Sequence, residues 1–146
     1  MKLFHISHTD LDGYGCHLVT KEYFKDGYFY NANYGLEVKL SIEKVLKEII
    51  PFKDEEILFI ISDLNLTFQE SKDLDIEIKK LIEEGYTIKL QLLDHHISGA
   101  KSANEFSWYF LDNNRCATKI VYDYIVSLII KESPIVSDNN DDDIDE

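Results

Sequence analysis

The sequence is poor in basic residues. Fifteen lysines and arginines face 28 acids across 146 residues, giving a formal charge of −13. Six of those negative charges sit in the last nine residues (Asp138, Asp141, Asp142, Asp143, Asp145, Glu146), so the remainder still carries −7. Such a body is a poor non-specific binder of duplex nucleic acid, because phosphate contact is largely cationic. It can meet a phosphate through a bound cation. No apolar run approaches the roughly 20 residues of a membrane span. The N-terminus lacks the basic-then-apolar pattern of a signal peptide. Cysteine is scarce as well: Cys16 and Cys116 have no metal-type spacing and no reason to pair, which fits a reducing, cytoplasmic compartment.

Apolar residues, by contrast, make up 45% of the chain, enough for one domain with a sizeable core. Their pattern alternates strand and helix. Strands are expected at 2–7, 27–33, 56–62, 86–93 and 105–111, and helices at 13–25, 36–50, 68–84 and 116–130. In the first helix Leu18, Val19, Tyr23 and Phe24 are expected to face the core. Pro51 stops the second helix and Gly85 closes the third. Strands separated by helices of this length predict a three-layer α/β/α fold with a mainly parallel sheet of about five strands. The expected domain spans 1–130, and the acidic 131–146 reads as a disordered tail.

Three strands end in acids or histidines. The first runs into "HTDLDG", with His8, Asp10 and Asp12 at every second position. The third ends at Asp63 in "IISDLN". The fourth ends in "LLDHH", at Asp94, His95 and His96. In open parallel sheets ligands bind beyond the carboxyl ends of the strands, so these groups should converge on one edge. Four carboxylates and three imidazoles there repel one another unless cations neutralise them. Hard oxygen donors mixed with imidazole suit manganese, magnesium or zinc. Taken singly, each residue has an ordinary reading as a turn former or helix cap. His5 and His17 read as core or surface histidines. "DLDG" after a first strand also occurs in haloacid-dehalogenase-like phosphatases, but there threonine usually follows the glycine, here Tyr14 does, and "DHH" would go unexplained.

In their order and spacing these motifs resemble the DHH phosphoesterase superfamily, in particular the N-terminal DHH domain of its RecJ-like and oligoribonuclease-like members. "NRCATKIVYDYI" (114–125) resembles the small-residue start of the helix that follows. The resemblance covers roughly residues 1–126. It implies a cytoplasmic, metal-dependent phosphoesterase with two manganese ions per site, magnesium being an alternative. His8 and Asp10 would hold the first ion, Asp12 and His95 the second, and Asp63 would bridge both. His96 would act at the scissile phosphate, Asp94 would support the histidines, and Arg115 could reach a substrate phosphate. In the implied two-metal scheme a bridging water attacks phosphorus while the cations absorb developing charge.

His8 lies two residues before Asp10, as in the nuclease-like branch, whereas pyrophosphatases tend to carry a histidine where Ile6 stands. The expected substrate is therefore a short single-stranded oligonucleotide or a small nucleotide phosphodiester, with no membrane partner and with self-association as a further expectation. The family's fourth motif, an Asp beyond the last helix, has no recognisable counterpart, and the residues after that helix are expected to be too few to supply the family's second domain. The domain is thus expected to be incomplete at its C-terminal end and its activity weakened. The alternative is a non-catalytic, truncated metal-binding module.

Overall fold

The computed structural model describes residues 1–132. Most of the acidic stretch expected as a tail over 131–146 therefore lies outside the described residues. The strands are β1 (Lys2–His8), β2 (Tyr28–Ala32), β3 (Glu56–Ser62), β4 (Thr87–Asp94) and β5 (Tyr109–Leu111). The helices are α1 (Leu11–Tyr23), α2 (Leu36–Glu48), α3 (Phe68–Glu83), α4 (Ala100–Glu105) and α5 (Ala117–Glu132). All neighbouring strands pair in parallel, in the order β2-β1-β3-β4-β5. The expected α/β architecture and five-stranded sheet are what the chain adopts.

Alternation along the strands sorts side chains to two cores. Phe4, Ile6, Ile57, Phe59 and Ile61 point to the side covered by α2 and α3, through Val38, Val45, Leu74 and Ile78. Leu3, Leu58 and Ile60 point to the side covered by α1 and α5, through Cys16, Ile120, Val121 and Ile125. That double coverage explains why "ILFII" is apolar without interruption. The helix starts are chemically marked. The Asp10 side chain accepts from the Gly13 N–H at 2.8 Å and caps α1, and Thr67 with Glu70 forms a capping box on α3.

Two local expectations change. Leu18 and Tyr23 stand exposed on α1, while Val19 and Phe24 do pack on the second core. The stretch expected as one strand over 105–111 yields only β5 at Tyr109–Leu111, preceded by the six-residue α4. A helix of under two turns leaves too little periodicity to read.

Strand order matters for function. From β1 the chain steps outward to β2, then returns to the other side of β1 for β3. The point where direction reverses lies between β1 and β3, and helices leave the sheet there on opposite faces. The register Ser7↔Ser62 places the next residues of both strands, His8 and Asp63, side by side at that point.

Candidate metal centre

The three polar clusters do meet at this edge. His8, Asp10 and Asp63 offer ligand atoms within 4.8 Å of one another, and so do Asp63, Asp94, His95 and His96. Asp63 belongs to both groups. It is 1% exposed, and its backbone is left-handed at φ 57°. That conformation is uncommon for an L-residue other than Asn or Asp, and it turns the carboxylate off the strand line into the cluster.

Asp63 Oδ1 lies 3.1 Å from His95 Nε2. Its Oδ2 faces His8 Nδ1 at 3.8 Å, and both of these buried atoms lack a hydrogen-bond partner among the described residues. Asp10 Oδ2 comes within 3.0 Å of His8 Nδ1, but off the line of a hydrogen bond. Burial, then the adjacent Asp10 carboxylate and the charges of Asp12 and Asp94, push the Asp63 carboxyl up to about 9. Its neighbour Asp10 is held down to about 2, chiefly by the Asp63 carboxyl beside it. Without a cation, the pair thus keeps a proton that a divalent ion would displace. Unpartnered buried donors of carboxylate and imidazole type, converging on one volume, fit a hard or borderline divalent metal.

The remaining residues divide by partner. Asp94 is fully buried and accepts from His96 Nδ1 at 2.8 Å and from the His96 backbone N–H at 3.2 Å. This fixes the His96 tautomer and leaves Nε2 facing the mouth of the cluster. Of the two histidines, His96 thus bonds Asp94, whereas His95 bonds Asp63. Asp12 reaches across to α5: Oδ2 accepts from Ala117 N and Oδ1 from Thr118 N, both at 2.9 Å, and the Thr118 hydroxyl adds a further bond. Burial works against the Asp12 charge, but these bonds and the neighbouring His95 lower its pKa overall. Its Oδ2 still stands 3.7 Å from His95 Nε2. The polar partners of Arg115 are Asp112, at 2.7 Å, and Asp123.

His5 and His17 belong to the core. His5 is fully buried between Thr20 Oγ1 at 2.9 Å and Ser62 Oγ at 2.7 Å, and His17 bonds the His5 carbonyl at 3.2 Å. Burial lowers the pKa of both. The Ser62 hydroxyl continues to Ser7 at 2.9 Å, so a polar network ties the ends of β1 and β3 directly beneath the centre.

One residue at the centre was not among the candidates. Tyr34, on the loop after β2, places its ring 4.8 Å from His8 and its hydroxyl 3.4 Å from His96 Nε2. Burial, then the Asp94, Asp63 and Asp10 charges, push its phenol up to about 12. β2 ends at the same edge as the other strands, and that position was the available signal. The segment "NANYG" contains no acid or histidine to mark it.

No known family profile matches the chain. It is 50% identical over 125 residues to a 3',5'-cyclic-nucleotide phosphodiesterase of Helicobacter pylori (strain ATCC 700392 / 26695), covering 86% of this chain and 36% of that protein. It is 32% identical over 133 residues to oligoribonuclease NrnB of Bacillus subtilis (strain 168), covering 85% of this chain and 31% of that protein. A crystal structure of an uncharacterized protein from Helicobacter pylori G27 superposes with a TM-score of 0.82 at 48% identity, over 87% of this chain and 37% of that one. The chain thus spans about a third of the length of the relatives it matches. These similarities support a place for the chain in the DHH-like phosphoesterase superfamily.

Proposed function

We propose that the chain is a metal-dependent phosphoesterase domain that hydrolyses phosphodiester bonds in short single-stranded oligonucleotides or small nucleotides, cyclic ones included. The observation that carries this reading is the pair of unpartnered buried atoms, His8 Nδ1 and Asp63 Oδ2, at the point where two ligand groups share one carboxylate. The phosphodiesterase and oligoribonuclease names of the relatives support the substrate class.

In this reading His8, Asp10 and Asp63 hold one ion, and Asp63, His95 and the free side of Asp12 hold a second. Manganese is the expected metal, with magnesium as a substitute. Divalent ions there supply Lewis acidity and an activated water. The protein's own part is positional. The left-handed turn at Asp63 aims the bridging carboxylate, Asp94 holds the His96 ring, and His96 Nε2 meets the phosphoryl group. For Arg115 to bind substrate it would have to leave Asp112 and Asp123. Among the described residues no helix is long and apolar enough to cross a membrane. Both cysteines, buried Cys16 and exposed Cys116, are free, which supports a cytoplasmic setting.

A second reading is a metal-binding module without turnover. It is favoured by Asp12, whose oxygens already serve the start of α5 and leave few lone pairs for a second ion. Manganese titration by calorimetry separates the two, with wild type beside Asp63→Ala and His95→Ala. Two ions per chain, with both variants impaired, support the enzyme, and a screen of short oligonucleotides and cyclic nucleotides then names the substrate. One ion, lost in Asp63→Ala but retained in His95→Ala, supports the module. No binding overturns both readings.

A further inference from the structure

Tyr34 occupies one wall of the centre, and its surroundings say more than packing requires. The loop that carries it is tied to the end of β1. Thr9 Oγ1 donates to Asn33 Oδ1 at 2.7 Å, and the Asn33 backbone N–H is held by Glu37 at 2.8 Å. After Tyr34 the chain turns through Gly35 at φ 78°. The ring is therefore anchored on one side and 43% exposed on the other.

The hydroxyl is the informative atom. Its neighbour is His96 Nε2 at 3.4 Å, too far for a strong hydrogen bond. The other ring nitrogen of His96 is committed to Asp94. Two groups separated by 3.4 Å can both lie about 2.8 Å from one shared oxygen above them, and both donate to it when Nε2 carries a proton as well as Nδ1. The pair stands beside the ligands: the Tyr34 ring is 4.8 Å from that of His8, and His96 shares a ligand group with Asp63.

We propose that Tyr34 contacts the substrate, its hydroxyl donating to a non-bridging phosphoryl oxygen that His96 also touches, while its ring covers His8. This assignment rests on the phosphodiesterase reading above. A neutral O–H is suited to the task. It adds no charge to the ground state, and it gains as attack on phosphorus drives negative charge onto the non-bridging oxygens. A hydroxyl that only packs against His8 would do neither.

The test uses Tyr34→Phe, which keeps the ring, and Tyr34→Leu, which removes it, in the full 146-residue chain. Three quantities are read: manganese affinity by calorimetry, affinity of the manganese-loaded chain for a dinucleotide phosphorothioate, and turnover of the corresponding phosphodiester. Tyr34→Phe is expected to bind manganese as wild type does while kcat falls roughly tenfold to a hundredfold and the phosphorothioate binds a few-fold more weakly. Tyr34→Leu is expected to weaken manganese binding as well, because His8 loses the ring against it. Wild-type turnover in Tyr34→Phe overturns the assignment, and so does a loss of manganese affinity that accounts for the whole fall in kcat. If the chain binds but does not cleave, the phosphorothioate decides: weaker binding in Tyr34→Phe supports the contact, and equal binding overturns it. A wild-type chain that takes up no manganese, or takes it up and binds no nucleotide, instead refutes the phosphodiesterase reading itself.

Discussion

His8 Nδ1 and Asp63 Oδ2 face each other across 3.8 Å of buried space, and neither is hydrogen-bonded among the described residues. They stand one residue beyond the paired Ser7 and Ser62, on the two strands between which the sheet reverses direction. The fold therefore brings two donors together and withholds the protein partners that would satisfy them. Left unmet, such groups destabilise the chain by an amount on the order of 1–3 kcal/mol each, which binding of an ion would recover.

The first prediction concerns Asp63→Asn. Asparagine tolerates the left-handed backbone at φ 57° and removes one of the crowded carboxylates. Metal-free protein is expected to gain stability, on the order of 1 kcal/mol, while manganese binding falls sharply. Urea unfolding in chelator, beside calorimetric titration, measures both quantities. A variant less stable than wild type in chelator would show that Asp63 does not strain the metal-free protein.

The second prediction is a pH profile. The folded Asp63 carboxyl, pushed up to about 9, holds a proton that the unfolded chain releases near the ordinary 3.8. The unfolded state thus binds fewer protons across that interval, and metal-free stability falls as pH rises through it. His17, held down to about 4, and His5 have the opposite sign, but they act only below their ordinary value of 6.5, where the unfolded chain charges first. Between pH 6.5 and 9 Asp63 is left to dominate. In chelator the urea midpoint should decline over that window, and excess manganese should reverse the trend. A flat profile in chelator would contradict the raised carboxyl.

The third prediction explains the glycine of "HTDLDG". Glycine within a helix ordinarily weakens it, so Gly→Ala is usually favourable by about 1 kcal/mol. At Gly13 the sign reverses. A Cβ there would overlap the His8 carbonyl, backbone that cannot swing aside. Gly13→Ala is expected to destabilise the chain by roughly 1–3 kcal/mol, and to lower manganese affinity by displacing the end of β1. Thermal unfolding and calorimetry test this together. Unchanged values for both would mean that α1 can move off the strand.

The layers were legible because burial on two faces leaves a plain trace. "ILFII" admits no polar face, and the Val38, Val45 pattern of α2 carries a helical period. The clusters were legible because acids and histidines directly after apolar strands are chemically conspicuous, and parallel topology brings strand ends together. What stayed hidden depended on tertiary partners. Nothing in the sequence says that Asp12 would reach a helix about a hundred residues later. Nor does it say that His5 would be satisfied by Thr20 and Ser62 rather than join the centre, or that a tyrosine on the β2 loop would lie over His8.

The last prediction concerns that double use of Asp12. Its carboxylate accepts the first N–H groups of α5 and stands 3.7 Å from His95 Nε2. Capping predicts that Asp12→Ala loses about 0.5–2 kcal/mol of stability, because Ala117 and Thr118 forfeit their acceptor. Asp12→Asn keeps one acceptor oxygen but turns an NH2 donor toward the other N–H, so only part of that stability should return. Metal binding should not return with it, since the second ion needs the negative charge. Urea unfolding is therefore expected to separate the two variants, while manganese titration groups them as equally impaired at the second site. If Asp12→Asn binds two ions as tightly as wild type, Asp12 serves only the helix, and the second ion must rely on Asp63, His95 and other donors.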